Sequence, residues 1–216
     1  RDSFSAVLEE GITHTSFSPS YLRLLLSARR LPKLAGSRLR TVSLGGEECV
    51  AADVAALWQA LPGLRVFNRY GPTEATIAVT NYEVTAEDVA SGNVPLGRPS
   101  AGVGFWLADP GGALIEGPNQ TGELLIGGEQ LMRGYWGDED LSAAVLRRDL
   151  VPGTRVYKTG DLVHRDEGGL YYYVGRTDDV VKRNGVRISL GAVAMVFRRV
   201  DGVTGAICLP IDVSGK

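Results

Sequence analysis

Residues 12–82 alternate strand-like and helix-like segments, and that alternation constrains the fold more than any other feature. Residues 12–17 (ITHTSF) are rich in β-branched and aromatic side chains and stop at Ser18-Pro19, a serine N-cap followed by proline at the first helical position. A helix of about ten residues is expected next, with Tyr21, Leu22, Leu25 and Leu26 on one face and Arg23, Arg29 and Arg30 off it. A second strand over 39–44 closes on Gly45-Gly46. Val54, Leu57, Trp58 and Leu61 then mark a second amphipathic helix, which Pro62-Gly63 ends, and a third strand covers 64–68. Strand, helix, strand, helix, strand at these lengths predicts parallel pairing through right-handed crossovers. The three C-terminal strand ends then share one sheet edge, which is where open α/β sheets bind their ligands.

The texture changes near Val94. Short alternating runs punctuated by glycine follow, with turn signals at Asp109-Pro110-Gly111-Gly112 and Asp166-Glu167-Gly168-Gly169, and these predict an antiparallel, barrel-like sheet. One helix, over 138–146, interrupts it, with acids at its front and Arg147-Arg148 at its back as the helix dipole favours. After Arg176 a charged, glycine-broken hairpin leads into a helix over 192–200 and a last strand over 204–210. The expected class is therefore α/β: a parallel-type sheet with crossover helices (1–92), an antiparallel barrel-like sheet (93–177), and a truncated C-terminal α+β unit (178–216), which the resemblance described below makes a hinge and the start of a small lid.

Composition removes several alternatives. A chain of 216 residues, 44% hydrophobic, can bury a core without disulfide or metal support. With 23 basic and 25 acidic side chains its net charge of −2 gives no field for gathering nucleic acid or anionic lipid. The two cysteines, Cys49 and Cys208, have no metal or CxxC spacing, consistent with a reduced, cytoplasmic setting, and read as ordinary buried small residues. No apolar run reaches the ~18 residues of a membrane span, and the first residues lack the order of a signal peptide. Without an initiator methionine, and starting on what reads as the end of an amphipathic helix, the chain is expected to be a piece of a longer one. His14 and His164, with no partner spaced for a metal, read as structural, and Trp58, Trp106 and Trp136 as core or domain-contact residues. Glycine is in excess, 28 residues, about 13% against a usual ~7%. Many serve turns in the second half. Gly45, Gly46, Gly71, Gly160, Gly175 and Gly185 instead fall at strand ends or in loops, where a close backbone approach is expected.

Three segments could carry chemistry. Asn68-Arg69-Tyr70-Gly71-Pro72-Thr73-Glu74 leaves the third strand at the ligand edge; a threonine hydroxyl beside a carboxylate suits a phosphate oxygen and its magnesium, and a tyrosine offers a flat face to a base. Tyr157-Lys158-Thr159-Gly160-Asp161 presents an aspartate suited to a sugar's vicinal hydroxyls. Gly175-Arg176-Thr177-Asp178 adds a planar cation. Each by itself reads equally well as a salt-bridged turn. Tyr171-Tyr172-Tyr173 alternates faces, so one face at most approaches a nucleotide.

Taken together and in order, NRYGPTE, GELLIGGEQLMRGYW and YKTGDLVHRDEGGLYYYVGRTDDVVKRNGVRISL make the chain resemble the amino-acid adenylation domain of non-ribosomal peptide synthetases, in the AMP-forming adenylate-forming superfamily, over nearly its whole length. The resemblance implies activation of an amino acid by MgATP to an aminoacyl-adenylate, with loss of pyrophosphate, then transfer to the phosphopantetheine thiol of a peptidyl carrier protein. It implies that Asn68 bonds the adenine amino group, Tyr70 stacks on the ring beside Gly71, Thr73 meets the α-phosphate and Glu74 the magnesium. Asp161 takes the ribose hydroxyls with Tyr173 nearby, and Arg176 reaches ribose and phosphate oxygens. Asp178 is the hinge of the lid, and Gly185 lines the pantetheine tunnel. It implies no nucleic-acid or membrane partner and leaves room for a small accessory protein.

Departures from the family pattern shape these expectations. The glycine- and serine/threonine-rich phosphate loop and the aspartate that pairs with the substrate amine belong upstream of residue 1, and the catalytic lysine beyond residue 216, so the segment alone is expected to be inactive. Gly191-Ala192-Val193-Ala194 stands where glycine, glutamate, an aliphatic residue and glutamate are usual. The positions matching the family's substrate pocket are Ser16, Ser43, Gly45, Arg69, Ile77 and Ala78, a roomy and polar wall. Arg69 either pairs with a polar or acidic substrate side chain or turns to the protein or solvent. The neighbouring readings are an acyl- or aryl-CoA ligase of the same superfamily and a non-catalytic docking remnant.

Overall fold

The computed structural model describes residues 10–28, 31–34, 36–177, 180–183, 186–198, 200, 203 and 206–211. Its first sheet is built as the alternation predicts. Strand β1 (His14–Phe17) runs into α1 (Pro19–Ser27), β2 (Thr41–Gly45) into α2 (Ala51–Ala60), and both lead to β3 (Arg65–Arg69). Ser18 caps α1, its hydroxyl accepting from the Tyr21 N–H at 3.2 Å, with Pro19 in the first turn. Leu22 and Leu25 on that helix are fully buried with Val42, Leu44, Val54, Leu57 and Val66, each worth about 1.5–3 kcal/mol of transfer free energy. Strands β1, β2 and β3 pair in parallel, Ser16 beside Ser43 and Gly45 beside Arg69.

Two elements here escaped sequence reading. Strand β4 (Tyr82–Glu83) closes the sheet antiparallel to β3. Helix α3 (Ala86–Ser91) starts on a reciprocal capping box, in which Asp88 accepts from the Thr85 N–H at 2.7 Å and Thr85 from the Asp88 N–H at 3.2 Å.

The second sheet is antiparallel and barrel-like. It comprises β5 (Gly104–Ala108), β6 (Leu114–Ile115), β7 (Gln120–Gly127), β8 (Leu146–Val151), β9 (Thr154–Arg165) and β10 (Tyr171–Arg176) in the order β10-β9-β7-β5-β6, with β8 on β9. Both predicted turns form: the Gly112 N–H donates to Asp109 O and the Gly169 N–H to Asp166 O. Helix α4 (Glu139–Val145) is capped by Asp138, but Arg147 and Arg148 do not sit at its back. They lie in β8, because pairing with β9 outcompetes another helical turn, and Arg147 pairs with Asp149 instead. Trp136 is fully exposed, contrary to a core role, since the loop holding it turns its ring outward. Trp58 and Trp106 do pack against the cores.

The sheets are joined where Tyr171 exchanges backbone bonds with Leu96 and Gly97, and Thr80 bridges Pro99. Tyr70, Ala75 and Val79 pack with Leu96, Leu124 and Tyr171 in one shared cluster. Beyond them stand the hairpin β11 (Val180–Arg183) and β12 (Val186–Ser189) and helix α5 (Leu190–Arg198). The strand expected over 204–210 does not form among its described residues, 206–210: they pair with no sheet edge there, and Ile207 and Leu209 stay exposed.

Candidate functional site

The shared C-terminal edge of β1, β2 and β3 opens into two adjoining cavities, and strand alternation divides the residues between them. One, of about 500 Å³, is lined by Asn68, Tyr70, Tyr173 and Arg176 among others. The other, of about 890 Å³, is lined by Ser16, Ser43, Gly45, Arg69, Ile77 and Ala78 together with Thr73 and Glu74. Gly46, Arg69 and Gly71 border both. Ser16 and Ser43 are register partners, and Gly45 and Arg69 are partners two residues further on, so all four lie on one sheet face. Asn68 and Tyr70 belong to the opposite alternation. Every residue matched from the substrate-pocket pattern thus lines a single cavity.

The turn after β3 is tightly held. Tyr70 O accepts from the N–H groups of Val79 (2.8 Å) and Thr80 (3.1 Å), and Pro72 O from those of Ala75 and Ile77. Thr76 and Ile77 both take left-handed conformations, φ 58° and 66°, which β-branched residues adopt only under tertiary constraint. The close approach at Gly71 is made by the chain itself: a Cβ there would run into the Ile77 carbonyl and lie 2.9 Å from Val79 N. Likewise a Cβ on Gly45 would come within 2.8 Å of Arg69 O, and one on Gly175 meets nothing within 4 Å. At 45 and 71 it is the chain's own backbone that requires glycine.

Asp161, with no exposure at all, does not line the first cavity but lies behind Tyr70 and Arg176, which do. One carboxylate oxygen accepts from the Tyr70 hydroxyl at 2.5 Å and the other from the Arg176 guanidinium, which also donates to Thr159 O at 3.2 Å. The segment carrying Asp161 is braced from behind. Thr159 Oγ1 donates to Leu124 O and accepts from the Asp161 N–H, and Glu123 accepts from the Gly160 N–H at 3.1 Å while pairing with Lys158. Asn68, 3% exposed, donates to Pro95 O at 2.8 Å.

Glu74 is buried at 8% exposure and accepts from the Tyr135 hydroxyl at 2.7 Å. Burial, and then this bond to Glu74, push the Tyr135 phenol well above its ordinary range, so it stays a neutral donor. Tyr135, Thr159 and Glu123 were not singled out from sequence; their partners lie 61, 35 and 37 residues away. Among the described residues no three His, Cys, Asp or Glu side chains gather to hold a metal by themselves. A single buried carboxylate beside a threonine hydroxyl fits magnesium, which binds through one or two carboxylates together with substrate phosphates and water. Asp178 and Gly185 lie outside the described residues. Among those described, no helix is long and apolar enough to cross a membrane.

Two adjoining cavities at the strand ends of an α/β sheet backed by an antiparallel barrel-like sheet are the arrangement expected of an adenylate-forming enzyme. The AMP-binding enzyme family matches residues 1–136, and the chain belongs to it. Its relatives are peptide synthetases: it is 36% identical over 208 residues to enterobactin synthase component F of Escherichia coli O157:H7, covering 92% of this chain and 16% of that protein. It is 32% identical over 213 residues to surfactin synthase subunit 2 of Bacillus subtilis (strain 168), covering 97% and 6%. The chain therefore spans about a sixth or less of these relatives. Among solved structures it is similar to holo-PA1221, an NRPS protein containing adenylation and PCP domains bound to a vinylsulfonamide inhibitor (TM-score 0.83, 32% identity, 91% of this chain and 34% of that one). It is also similar to the Vibrio cholerae adenylation domain AlmE in complex with glycyl-adenosine-5'-phosphate (TM-score 0.84, 28% identity, 98% and 40%).

Proposed function

We propose that the protein containing this chain activates an amino acid with ATP and magnesium, forming an aminoacyl-adenylate and pyrophosphate, and then passes the aminoacyl group to the phosphopantetheine thiol of a carrier protein. The observation that carries this reading is the pair of adjoining cavities, one lined by nucleotide-type residues and the other by the six substrate-pocket residues, sharing Gly46, Arg69 and Gly71. A carboxylate in the larger cavity can meet an α-phosphate at that shared border. Its oxygen attacks the α-phosphorus and pyrophosphate leaves.

In this reading Asn68 and Tyr70 receive the adenine, and Asp161, Tyr173 and Arg176 the ribose. Ribose binding requires Asp161 to exchange a bond now made to Tyr70 or Arg176 for one to the sugar. Thr73 meets the α-phosphate and Glu74 holds the magnesium, whose charge offsets that building on the phosphate oxygens. Rate comes mainly from orientation and charge stabilisation. Residues 178–216 begin the lid, with Asp178 as hinge and Gly185 at the pantetheine tunnel.

Two serines line the substrate cavity, and the Arg69 side chain makes no hydrogen bond or ion pair among the described residues, which favours a polar or acidic side chain. Pyrophosphate exchange by the complete protein tests both levels, using acidic, hydroxylated and aliphatic amino acids and the same acids lacking the amine. Exchange driven by polar or acidic amino acids is expected. Preference for an aliphatic one would overturn the side-chain assignment, and exchange driven only by acids without the amine would replace amino-acid activation with a CoA-ligase activity.

A further inference from the structure

The loop over 128–136 crosses the strained turn that carries Thr73 and Glu74 and is tied to it three times. The Tyr135 hydroxyl donates to Glu74 Oε1 at 2.7 Å, the Met132 N–H donates to Glu74 O at 2.8 Å, and Thr76 Oγ1 donates to Gln130 O at 2.7 Å. Two of these bonds secure backbone. Of the three, the tyrosine's bond is the one made to the carboxylate.

Tyr135 is itself held from the far side. Its N–H donates to Ser142 Oγ at 2.8 Å, and that hydroxyl donates to Asp138 O at 2.6 Å at the start of α4. Arg155, from β9, donates to Met132 O and, at 3.0 Å, to Arg133 O. A rigid ring with two side-chain torsions, anchored at its own backbone and with Tyr157 beside its hydroxyl, thus presents a fixed donor to a nearly buried carboxylate.

We propose that Tyr135 is a positioning residue that orients the Glu74 carboxylate for the divalent cation of the nucleotide complex. The inference rests on the metal role given to Glu74 above. It assigns Tyr135 no contact with nucleotide or amino acid; it acts through its hydrogen bond to Glu74.

The test compares the complete protein with its Tyr135→Phe and Glu74→Gln variants. Manganese affinity is read by electron paramagnetic resonance in the presence of α,β-methylene-ATP, and AMP affinity is read separately in EDTA. Tyr135→Phe removes one atom from a half-exposed ring, and the unfolding midpoint checks that the fold persists. The expected result is manganese affinity weakened by about tenfold in Tyr135→Phe and abolished in Glu74→Gln, with AMP affinity in EDTA unchanged in both. Manganese affinity unchanged in Tyr135→Phe but lost in Glu74→Gln overturns the positioning role alone. A fall in AMP affinity equal to the fall in metal affinity overturns it too, because the tyrosine would then support the turn generally. Manganese affinity untouched by Glu74→Gln overturns the metal assignment and this inference with it.

Discussion

Replacing Arg176 by leucine leaves the Asp161 carboxylate with no exposure and with the Tyr70 hydroxyl as its remaining partner among the side-chain contacts described above. Breaking a buried pair from one side costs about 3–5 kcal/mol, because the surviving charge is neither solvated nor compensated. The Arg176 side chain is 9% exposed, so some water reaches the pair and the lower figure applies. In a multidomain protein global unfolding is not two-state, so the cost is best read locally. A loss of about 3 kcal/mol speeds amide exchange in β9 and β10 by roughly 150-fold where those strands open together. Hydrogen–deuterium exchange with mass spectrometry on peptides over 154–176 reports this. The double variant Arg176→Leu/Asp161→Asn removes the stranded charge and should recover most of the protection. Exchange in Arg176→Leu within threefold of the parent, or a double variant as unprotected as the single one, would falsify the claim that a paired, desolvated carboxylate organises this end of the site.

Four further outcomes follow from the same structure. Gly71→Ala sets a Cβ 2.6 Å from Ile77 C and 2.9 Å from Val79 N, so the turn must shift at a cost of about 1–3 kcal/mol; nucleotide titration should show both ATP and amino-acid affinity reduced, and retention of both would contradict the packing argument. Ile77→Gly relieves a left-handed β-branched residue that is 74% exposed. The relief of about 1–2 kcal/mol exceeds the glycine entropy cost of about 0.5–1, so exchange over 73–80 should slow while the substrate cavity widens, and faster exchange would count against it. Burial, followed by Asp53, raises the Cys49 thiol from 9.0 to about 12. At pH 8 only about one in 10,000 such thiols is ionised, so iodoacetamide should label Cys208 first and Cys49 after unfolding. Because the folded form holds its proton longer, Cys49's contribution to stability is full below pH 9 and is lost as pH rises toward 12; stability rising with pH over that range would refute it.

Much of the site was legible because parallel strands impose a common edge. Residues 12–17, 39–44 and 64–68 read as parallel strands sharing an edge, while Ser16, Ser43, Gly45 and Arg69 came from the family resemblance; the observed register sets these four on one face. What stayed hidden was set by distant partners. Nothing local to Tyr135 announces a carboxylate 61 residues earlier, and nothing local to Gly71 announces the backbone of Ile77 and Val79 folding over it. Arg147 and Arg148 showed the opposite failure: a local helix-dipole pattern was overridden by pairing with β9. The capping box at Thr85 and Asp88 was a local signal that went unread.

The two cavities are claimed to hold the two halves of one aminoacyl-adenylate, meeting at Gly46, Arg69 and Gly71. An aminoacyl-sulfamoyl-adenosine carrying the preferred amino acid spans both halves without reacting. Calorimetric titration of the complete protein should find it bound at least about a hundredfold more tightly than AMP or the amino acid alone, with that advantage lost in Asp161→Ala. Binding no tighter than AMP, or indifferent to Asp161, would contradict the account.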